Sequence, residues 1–389
     1  MVNSYKITKL PSLTFGVGTI NTLPDLIDKK SDNVVIITGN NTIERSQKLY
    51  NVLKQIRTNL KSVQHFKIAG EPSPSNINHI VQQTIGKNIT VISLGGGSPI
   101  DAGKAVSAMI PLQEDVTDYL EVVGNKSHPG IKMPFIAVPT TSGTGSEVTA
   151  NAVISKIGTH GFKRSLRHVN FVPDQVILDP ELTIDCPSEV TAFSGMDAIT
   201  QLIEAYVSFK ANRFTDSLIE DAMKNIFNSL INAFHNGNNI QARSDMMYAA
   251  YISGIALANA GLGMVHGFAS ELGGRYSIPH GLVCARLAYP CHRLNIEKAI
   301  KENHTRSIQK YARLYHLVTG NQSEDMKDSA LRFIKLFKET SNDLHLPGFG
   351  SYGISTSHLS EIAKKSGSKN NPVEITYEEK LELLKQCLH

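Results

Sequence analysis

The sequence contains little that would suggest a membrane, secreted or nucleic-acid-binding protein. Its longest apolar stretches, such as Val34–Ile37 and Ile252–Ala258, are far too short to span a bilayer. Residues Met1–Leu13 lack the apolar core of a signal peptide. No five successive residues carry the same charge, and 39 lysines and arginines against 35 aspartates and glutamates leave a net charge of only +4. These absences argue against a membrane or nucleic-acid partner.

Cysteine is also scarce. The four cysteines are Cys186, Cys284, Cys291 and Cys387. They form no CxxC pair, so the sequence predicts no disulfide framework. Cys284 lies shortly after His280, and we interpret it as a small buried side chain rather than a nucleophile. With 389 residues, the chain is long enough for two domains. We therefore expect a cytoplasmic, globular protein of enzyme size.

Up to about Pro180, short β-branched runs alternate with segments of helical periodicity. Continuous apolar runs of this kind are typical of strands covered on both faces, as in a parallel sheet. This alternation predicts a doubly wound α/β domain, which we place at residues 1–182. The predicted strands are Asn33–Thr38, Asn88–Leu94, Pro134–Val138 and Val176–Leu178, and the predicted helices are Ile43–Thr58 and Ser75–Ile85.

After Pro180 the strand signals nearly vanish. Seven segments have helical composition and periodicity, so we predict an all-α domain at residues 183–389. Two domains of this kind would form a cleft between them, the usual place for a ligand. The predicted helices are Ser188–Phe209, Arg213–Phe234, Arg243–Ala260, His280–Leu294, Glu297–Val318, Ser323–Thr340 and Thr376–Cys387.

A glycine-rich turn follows the predicted strand at Asn88–Leu94. Gly95–Gly97 come first, then Ser98 in the position of a helix N-cap and Pro99 in that of the first helical residue. Glycines allow the backbone to approach a ligand closely, and a helix N-terminus favours a phosphate. The spacing matches neither GxGxxG nor a Walker A loop, so the segment predicts a phosphate-binding turn of another type.

A second polar turn follows the strand at Pro134–Val138. Residues 140–146 are all hydroxyl residues or glycines, which offer hydroxyl and main-chain donors to a phosphate or a ribose. Such a segment is also typical of a solvated loop. Because the two turns follow successive strands, we expect both at one edge of the sheet, where they would share a ligand.

The second half carries a set of residues typical of a metal site. Asp197 and Gln201 stand four apart, on one face of a predicted helix. His266 and His280 lie in glycine-rich surroundings, which suit turns close to a ligand. One carboxylate and two imidazoles are a usual set for catalytic Zn²⁺ or Fe²⁺, with a position left open for substrate. Each histidine alone is also compatible with an ordinary hydrogen-bonded side chain.

Several long motifs follow one another along nearly the whole chain. They are LTFGVGTI at Leu13–Ile20, GGGSPIDAGKA at Gly95–Ala105, PTTSGTGSEVT at Pro139–Thr149, SGMDAIT at Ser194–Thr200, VHGFASELGG at Val265–Gly274, PHG at Pro279–Gly281 and NPVEIT at Asn371–Thr376. These motifs in this order resemble the iron-containing (group III) alcohol dehydrogenases, which are related to glycerol dehydrogenase and dehydroquinate synthase. The resemblance implies a dehydroquinate synthase-like fold and a reversible NAD(P)-linked oxidation of an alcohol to an aldehyde or ketone at a metal in the cleft.

The resemblance also implies roles for individual residues. Asp197, His266 and His280 would hold Fe²⁺ or Zn²⁺ and act in catalysis, with Gln201 at best an auxiliary ligand. The implied cofactor is NAD or NADP. The implied partners are a small-molecule alcohol or aldehyde and further copies of this chain, in a homodimer or larger homo-oligomer. The implied cofactor-binding residues are Gly39, Gly96, Gly97, Ser98, Asp101, Thr140, Thr141, Thr144, Thr149, Asn151 and Lys163.

Three positions depart from the pattern of the family. Gln201 stands where many members have a third metal-binding histidine, and Ser270 stands where many have a further histidine, which puts a proton relay there in doubt. Gly39 stands where NAD-preferring members have an aspartate that binds the ribose 2′-hydroxyl. Because Gly39 removes that carboxylate and Asn40 and Asn41 offer amide donors, we predict that NADP(H) is used at least as well as NAD(H).

Two other functions remain compatible with the sequence. A metal-independent reductase resembling maleylacetate reductase would use cationic side chains in place of the metal, and metal analysis would separate it from the first hypothesis. A nucleotide-binding protein without catalysis, its metal site degraded at Gln201 and Ser270, would bind cofactor without turnover. A lyase such as dehydroquinate synthase is less favoured, because the motifs match the alcohol dehydrogenase branch better.

Overall fold

The computed structural model describes residues 4–27, 31, 33–60, 62–86, 88–158, 161–321 and 325–388. Strands and helices alternate in the first half of these residues and helices dominate the second half, as the sequence predicts. The strands are β1 Ser12–Phe15, β2 Asn33–Gly39, β3 Ser62–Ile68, β4 Ile89–Gly95, β5 Phe135–Pro139, β6 Asn151–Lys156, β7 Phe162–Arg167 and β8 Gln175–Leu178. The helices of the first half are α1 Leu23–Leu26, α2 Thr42–Arg45, α3 Gln47–Asn59, α4 Pro74–Gln83 and α5 Gly97–Met109.

Six strands form one parallel sheet in the order β1-β8-β5-β4-β2-β3, and β6 and β7 form a separate antiparallel hairpin. The chain passes from β2 outward to β3 and then returns to the other side of β2 with β4. This reversal between β2 and β4 creates a crevice outside the carboxyl ends of the two strands, where parallel sheets bind ligands. Gly39 and Gly95 end these two strands.

Alternate side chains of β2 explain how the sheet is covered. Val34 and Ile36 point to a core shared with helix α3, whereas Val35 and Ile37 join a larger core on the opposite face. The larger core continues without interruption into the helical half, where it includes Ile199 of the first long helix. Burial on both faces is the reason that the strands appear in the sequence as continuous apolar runs.

The second half of the described residues is helical. Its first long helix, α6, is buried along most of its length and packs against α9 and α11. The helices are α6 Ser188–Val207, α7 Arg213–Met223, α8 Ile226–His235, α9 Ile240–Ala260, α10 Met264–Arg275, α11 His280–Lys301, α12 Thr305–Thr319, α13 Met326–Asp343, α14 Thr356–Lys365 and α15 Tyr377–Gln386. The α/β half and the all-α half confirm the predicted fold class, and the division into domains at 182/183 stays a prediction.

Several elements differ from the sequence-based prediction. Strands β1, β3, β6 and β7 and helices α10 and α14 were not predicted, because β3 alternates polar and apolar residues and α10 contains three glycines. The break predicted near Asn295 is wrong, since α11 continues through Pro290 to Lys301. The chain turns instead at Asn303, whose φ of 55° is left-handed.

The helices of the described residues were also compared with the requirements of a membrane span. No single helix is both long and apolar enough to cross a bilayer. The pair Ile240–Ala260 and Met264–Arg275 reaches that length and composition only when taken together, and the two helices meet at a bend of 100°.

Candidate active site

The glycine turn lies at the carboxyl end of β4, beside the crevice. Helix α5 begins at Gly97 with Gly96 as its N-cap, so the prediction of Ser98 as the cap is wrong and Ser98 lies in the first helical turn. Gly95 has a φ of 150°, and a Cβ there would lie 2.8 Å from Pro99 Cγ. Glycine is therefore needed at this position for both backbone conformation and space.

The threonine-rich turn after β5 lies directly against the glycine turn. Thr140 N–H donates to the Gly95 carbonyl oxygen at 2.9 Å. A Cβ on Gly96 would lie 3.2 Å from Thr141 Oγ1, and a Cβ on Gly97 would lie 2.6 Å from Thr144 Oγ1. The structure thus brings the two turns together at one edge of the sheet, as the strand order predicts.

Lys104 is a buried side chain that fixes the threonine-rich turn by hydrogen bonds. The sequence analysis did not identify this role. Lys104 lies two turns beyond Gly97 in α5, within the GGGSPIDAGKA motif, and its side chain is fully buried. Burial lowers the pKa of Lys104 to about 8, although the Asp101 carboxylate acts in the opposite direction. The lysine ammonium donates to Ser146 O at 2.7 Å, Asn151 O at 2.7 Å and Thr149 Oγ1 at 3.0 Å.

Asp101 presents an acceptor that the described residues do not satisfy. Its Oδ2 accepts a hydrogen bond from Val153 N–H at 3.0 Å. Its Oδ1 is buried and lies 3.7 Å from Lys104 Nζ, but receives no hydrogen bond from any described residue. Burial raises the pKa of Asp101. A buried acceptor without a donor fits a ligand that supplies one.

The remaining predicted cofactor residues have different surroundings. Thr149 is only 4% exposed, and its hydroxyl is engaged with Lys104, so the structure does not place it at the surface of the crevice. Asn151 begins β6, and its amide lies 3.4 Å from Ser165 Oγ. Lys163, on β7, forms an ion pair of 2.9 Å with Glu71.

A cavity of about 240 Å³ lies in the crevice between the sheet and the start of α6. Gly39 is not among its lining residues, but the following Asn40 and Asn41 are, and Arg45 adds a guanidinium that the sequence analysis did not consider. The other residues that line it are Thr42, Ser46, Leu49, Gly96, Thr140, Thr141, Leu182, Asp185, Cys186, Pro187 and Val190.

The three predicted metal ligands come together from three helices. Asp197 lies on α6, His266 on α10 and His280 at the start of α11. Asp197 Oδ1 lies 3.3 Å from His266 Nε2 and 3.7 Å from His280 Nε2. Gly267, Gly273 and Gly274 belong to helix α10 rather than to the predicted turns, whereas Gly261 and Gly263 lie in the turn between α9 and α10. Gly267 is required by a close approach, because a Cβ there would lie 1.8 Å from Gly367 O.

The pKa values of Asp197 and His280 suit a cation, whereas that of His266 does not. Burial acts to lower the pKa of His266, but Cys284 and Glu204 outweigh it and raise the pKa well above its usual value, so a cation that binds His266 must displace a proton. Burial acts to raise the pKa of Asp197, but His280 and His266 outweigh it and lower the pKa to about 2. Burial lowers the pKa of His280 to about 4, and the Lys163 ammonium acts in the same direction. A carboxylate and a neutral imidazole are the forms that coordinate metals.

Glu204 orients His266 through a contact with Nδ1 of the imidazole. The sequence analysis did not identify this residue. Its Oε2 lies 2.6 Å from His266 Nδ1, and its Oε1 accepts from Val265 N–H at 2.7 Å. A carboxylate at Nδ1 keeps the proton on that nitrogen and leaves Nε2 free to coordinate. The signal was present in the sequence, because Glu204 follows Asp197 by seven residues on the same helical face.

Cys284 completes the cluster. Its Sγ lies 3.6 Å from His266 Nε2 and 3.7 Å from His280 Nε2. The four possible ligand atoms of Asp197, His266, His280 and Cys284 all lie within 4.8 Å of one another. Burial raises the pKa of the Cys284 thiol to about 12, and a bound divalent cation would favour the thiolate instead.

Gln201 and Ser270, which depart from the family pattern in this region, both form hydrogen bonds within the protein. Gln201 Oε1 accepts from Ser253 Oγ at 2.8 Å, and Ser270 Oγ donates to the His266 carbonyl oxygen at 2.9 Å. Ser253 Oγ also lies 3.4 Å from the Gly143 carbonyl oxygen. Ser253 therefore connects the threonine-rich turn to the helix that carries Asp197.

The fold and the site together define a nucleotide-dependent oxidoreductase with a metal centre. The sequence profile of "iron-containing alcohol dehydrogenase" matches residues 11–180, and that of the "Fe-containing alcohol dehydrogenase family, C-terminal" matches residues 191–388. The chain belongs to the iron-containing alcohol dehydrogenase family. Members of this family use NAD(P) and a metal ion, and the buried donor cluster and the glycine turn of this chain fit both.

Three relatives illustrate the range of the family. The NADPH-dependent butanol dehydrogenase of Clostridium saccharobutylicum is 32% identical over 360 residues, which cover 90% of this chain and 87% of that protein. The NAD-dependent methanol dehydrogenase of Bacillus methanolicus is 31% identical over 304 residues, 77% of each chain. The solved alcohol dehydrogenase of Oenococcus oeni superposes with a TM-score of 0.84 at 29% identity, covering 99% of this chain and 100% of that one.

Proposed function

We propose that this chain interconverts a small alcohol and its aldehyde or ketone, with NADP(H) as preferred cofactor and a divalent cation held by Asp197, His266 and His280. The observation that carries the proposal is the convergence of these three side chains from three helices, with Nε2 of each imidazole within 3.7 Å of Asp197 Oδ1. Ser253 links Gln201, on the helix that carries Asp197, to the threonine-rich turn of the sheet.

In this proposal the protein residues bind and orient the substrate, the cofactor and the cation, and they exclude water from the site. Glu204 fixes the tautomer of His266, and the low pKa of Asp197 keeps its carboxylate ionised at neutral pH. When bound, the cation polarises the carbonyl during reduction or stabilises the alkoxide during oxidation. The hydride chemistry belongs to the nicotinamide, so the protein contributes distance and charge. Ser270 has no part in moving a proton, because its hydroxyl is bonded to the helix backbone.

On the cofactor side, Gly96, Gly97 and Ser98 would offer the main-chain N–H groups of the α5 N-terminus to the pyrophosphate. Thr140, Thr141 and Thr144 would complete the phosphate and ribose contacts from the facing turn. The unsatisfied Oδ1 of Asp101 would accept a hydrogen bond from the cofactor. Asn151 and Lys163 lie on the hairpin formed by β6 and β7. For Thr149 we propose a supporting role, since its hydroxyl is buried against Lys104.

The preference for NADP(H) rests on the residues after β2. Gly39 offers no carboxylate to repel a 2′-phosphate, and Asn40, Asn41 and Arg45 line the adjacent cavity. Arginine binds phosphate through two parallel hydrogen bonds. In Arg45→Ala we expect the KM for NADPH to rise at least about tenfold while the KM for NADH changes little, because a charge-assisted hydrogen bond contributes about 1.5–3 kcal/mol. Lys54→Ala, an exposed cation on the neighbouring α3, serves as the control.

A homodimer and a cytoplasmic location complete the proposal. Strand β1 lies at the edge of the sheet, and its Leu13 and Phe15 side chains are 41% and 40% exposed. Exposed apolar side chains on an edge strand are typical of a surface that another chain covers. The four cysteines are all unpaired, which suits a reducing compartment.

The proposal is tested by metal analysis together with a substrate panel. Purified wild type and His266→Ala are assayed on short alcohols and aldehydes with NADPH and NADH, in the presence of Fe²⁺, Zn²⁺ or a chelator. We expect about one metal per chain in the wild type, and loss of both metal and turnover in the variant. Full activity of a metal-free His266→Ala protein would favour the metal-independent reductase, and cofactor binding without any turnover would favour the non-catalytic protein.

A further inference from the structure

We propose that Cys284 is the fourth protein ligand of the metal, and that this thiolate shifts the selectivity of the site toward Zn²⁺ over Fe²⁺. This inference rests on the proposed function, because it extends the ligand set of the same site. It concerns a residue that the sequence analysis interpreted only as a small buried side chain.

The distances within the cluster match those between the ligands of a tetrahedral ion. With bonds of about 2.0–2.1 Å to nitrogen or oxygen and about 2.3 Å to sulfur, the edges of such a tetrahedron are about 3.3 Å between N and O and about 3.6 Å between N and S. The two N–O separations at Asp197 are 3.3 Å and 3.7 Å. The two N–S separations at Cys284 are 3.6 Å and 3.7 Å. All four agree with one central ion to within about 0.4 Å.

Helix geometry places the cysteine correctly. Cys284 follows His280 by four residues in α11, so the two side chains lie on the same face one turn apart. Both point toward Asp197 on α6, and Cys284 is fully buried there. An ion at the centre would therefore be held by two residues of α11, with Asp197 and His266 each contributed by another helix.

Gln201 is a weaker candidate for the fourth position. Its amide oxygen is neutral and already accepts a hydrogen bond from Ser253 at 2.8 Å. A thiolate carries a full negative charge, and together with the Asp197 carboxylate it neutralises a divalent cation. On binding, the thiol proton leaves to solvent and the sulfur lone pair is shared with the cation.

The identity of the ligands determines which metal is favoured. Thiolate is a soft ligand that suits zinc, whereas carboxylate and imidazole alone suit ferrous iron as well. Zinc is usually four-coordinate in proteins and accepts a fifth ligand, so the oxygen of a substrate can still enter. The cysteine therefore changes the metal selectivity of the site without closing it to alcohols.

The experiment is X-ray absorption at the zinc edge, on wild type, Cys284→Ala, Cys284→Ser and the control Cys291→Ala. Cys291 is equally buried and lies two turns farther along the same helix. We expect one sulfur scatterer at about 2.3 Å from zinc in the wild type and in Cys291→Ala. We expect none in either variant at position 284. Cobalt-substituted protein provides a second readout, because a thiolate ligand adds a near-ultraviolet charge-transfer band that should disappear with Cys284.

Metal competition tests the selectivity. Because zinc binds nitrogen and oxygen sites more tightly than ferrous iron in any case, the informative quantity is the change in the Zn:Fe affinity ratio. Under anaerobic conditions we expect this ratio to fall at least about tenfold in Cys284→Ser relative to the wild type and Cys291→Ala. An unchanged ratio would contradict the proposed selectivity.

The outcomes separate this inference from the proposed function. One metal per chain with only nitrogen and oxygen scatterers in the wild type would overturn the role of Cys284 and leave the proposed function in place. A wild type that binds no metal and remains active with a chelator would overturn both. The wild-type spectrum decides the matter even if a variant fails to fold.

Discussion

At the scale of single residues, the hydrogen bonds behind the ligands are as informative as the ligands themselves. Glu204 and Asp197 approach His266 from opposite sides, at 2.6 Å from Nδ1 and 3.3 Å from Nε2. Only the contact between Glu204 and Nδ1 can remain when Nε2 coordinates a cation. In the proposed site Glu204 is therefore a positioning residue, and Asp197 would share the cation with the imidazole.

The variant Glu204→Gln tests this arrangement. Its amide keeps the size of the side chain but loses the charge that fixes the proton on Nδ1, so we expect metal affinity to fall about 10–100-fold. Competition with a chromogenic chelator measures the change, and the control is Glu220→Gln on helix α7, where Glu220 accepts hydrogen bonds from Tyr206 and Arg313. Unchanged metal affinity would mean that the Glu204–His266 contact is only structural.

The role of Gly39 is tested by comparing two substitutions at that position. A Cβ there would lie 2.8 Å from Thr42 Oγ1, so Gly39→Ala reports the steric effect and Gly39→Asp adds the charge. We expect Gly39→Asp to move the kcat/KM ratio toward NADH relative to Gly39→Ala, because the carboxylate repels the 2′-phosphate and binds the ribose hydroxyl. Equal ratios for the two variants, or a wild type that strongly prefers NADH, would show that the ribose is recognised elsewhere.

At the scale of elements, the close contact between two turns shapes the phosphate site. The start of α5 contacts the loop after β5 at Gly97 and Thr144. Lys104 stabilises the same loop by a hydrogen bond to the Ser146 carbonyl oxygen. Neither turn would be ordered in this way by its own sequence. The absence of a side chain at Gly97 is what permits the approach.

Gly97→Ala should therefore displace the threonine-rich turn, because the new Cβ would lie 2.6 Å from Thr144 Oγ1. We expect affinity for NADPH, measured by fluorescence titration, to fall at least about tenfold, since poorly placed hydrogen bonds contribute little. The double variant Gly97→Ala/Thr144→Ala removes the two closest contacts and leaves the Cβ of residue 144 at 3.1 Å from that of residue 97, so we expect its affinity to approach that of Thr144→Ala alone. Additive losses in the double variant would indicate that Gly97 acts independently of Thr144.

At the scale of the whole molecule, one continuous core joins the sheet to the helical half, and one sheet edge is left exposed. The exposed edge is β1, with Leu13 and Phe15 at its surface. A core shared by both halves keeps the crevice and the metal cluster in a stable relation. The exposed edge is where we propose contact with a second copy.

The double variant Leu13→Lys/Phe15→Lys tests that contact. Lysines on an edge strand oppose pairing with another chain, so we expect the variant to elute as a monomer. Size-exclusion chromatography with light scattering measures the mass of each species. Val122→Lys, at a site that is 89% exposed and outside the sheet, should leave the oligomer unchanged. A monomeric wild type would exclude the homodimer.

The outcome of the sequence analysis differs between strands and site residues. Strands buried on both faces were predicted to within a residue or two, because an apolar run such as Val34–Ile37 reflects burial directly. Helix α10 was missed because its glycines resemble turn residues, although Gly267 allows close packing against Gly367 and Gly274 close packing against Phe162. Lys104 was overlooked because a lysine in a sequence is usually exposed, and only three carbonyl and hydroxyl acceptors explain its burial.

The sequence by itself determined the fold class and the family, and it predicted Asp197, His266 and His280 as metal ligands, because local patterns and motif order carry that information. Only the tertiary structure showed which groups Glu204, Lys104 and Cys284 contact. Their partners lie 62 residues away in the case of His266 and Glu204, and 18 residues away in the case of His266 and Cys284. Contacts between distant segments depend on how helices pack, and helix packing is decided by the whole core rather than by any local stretch of sequence.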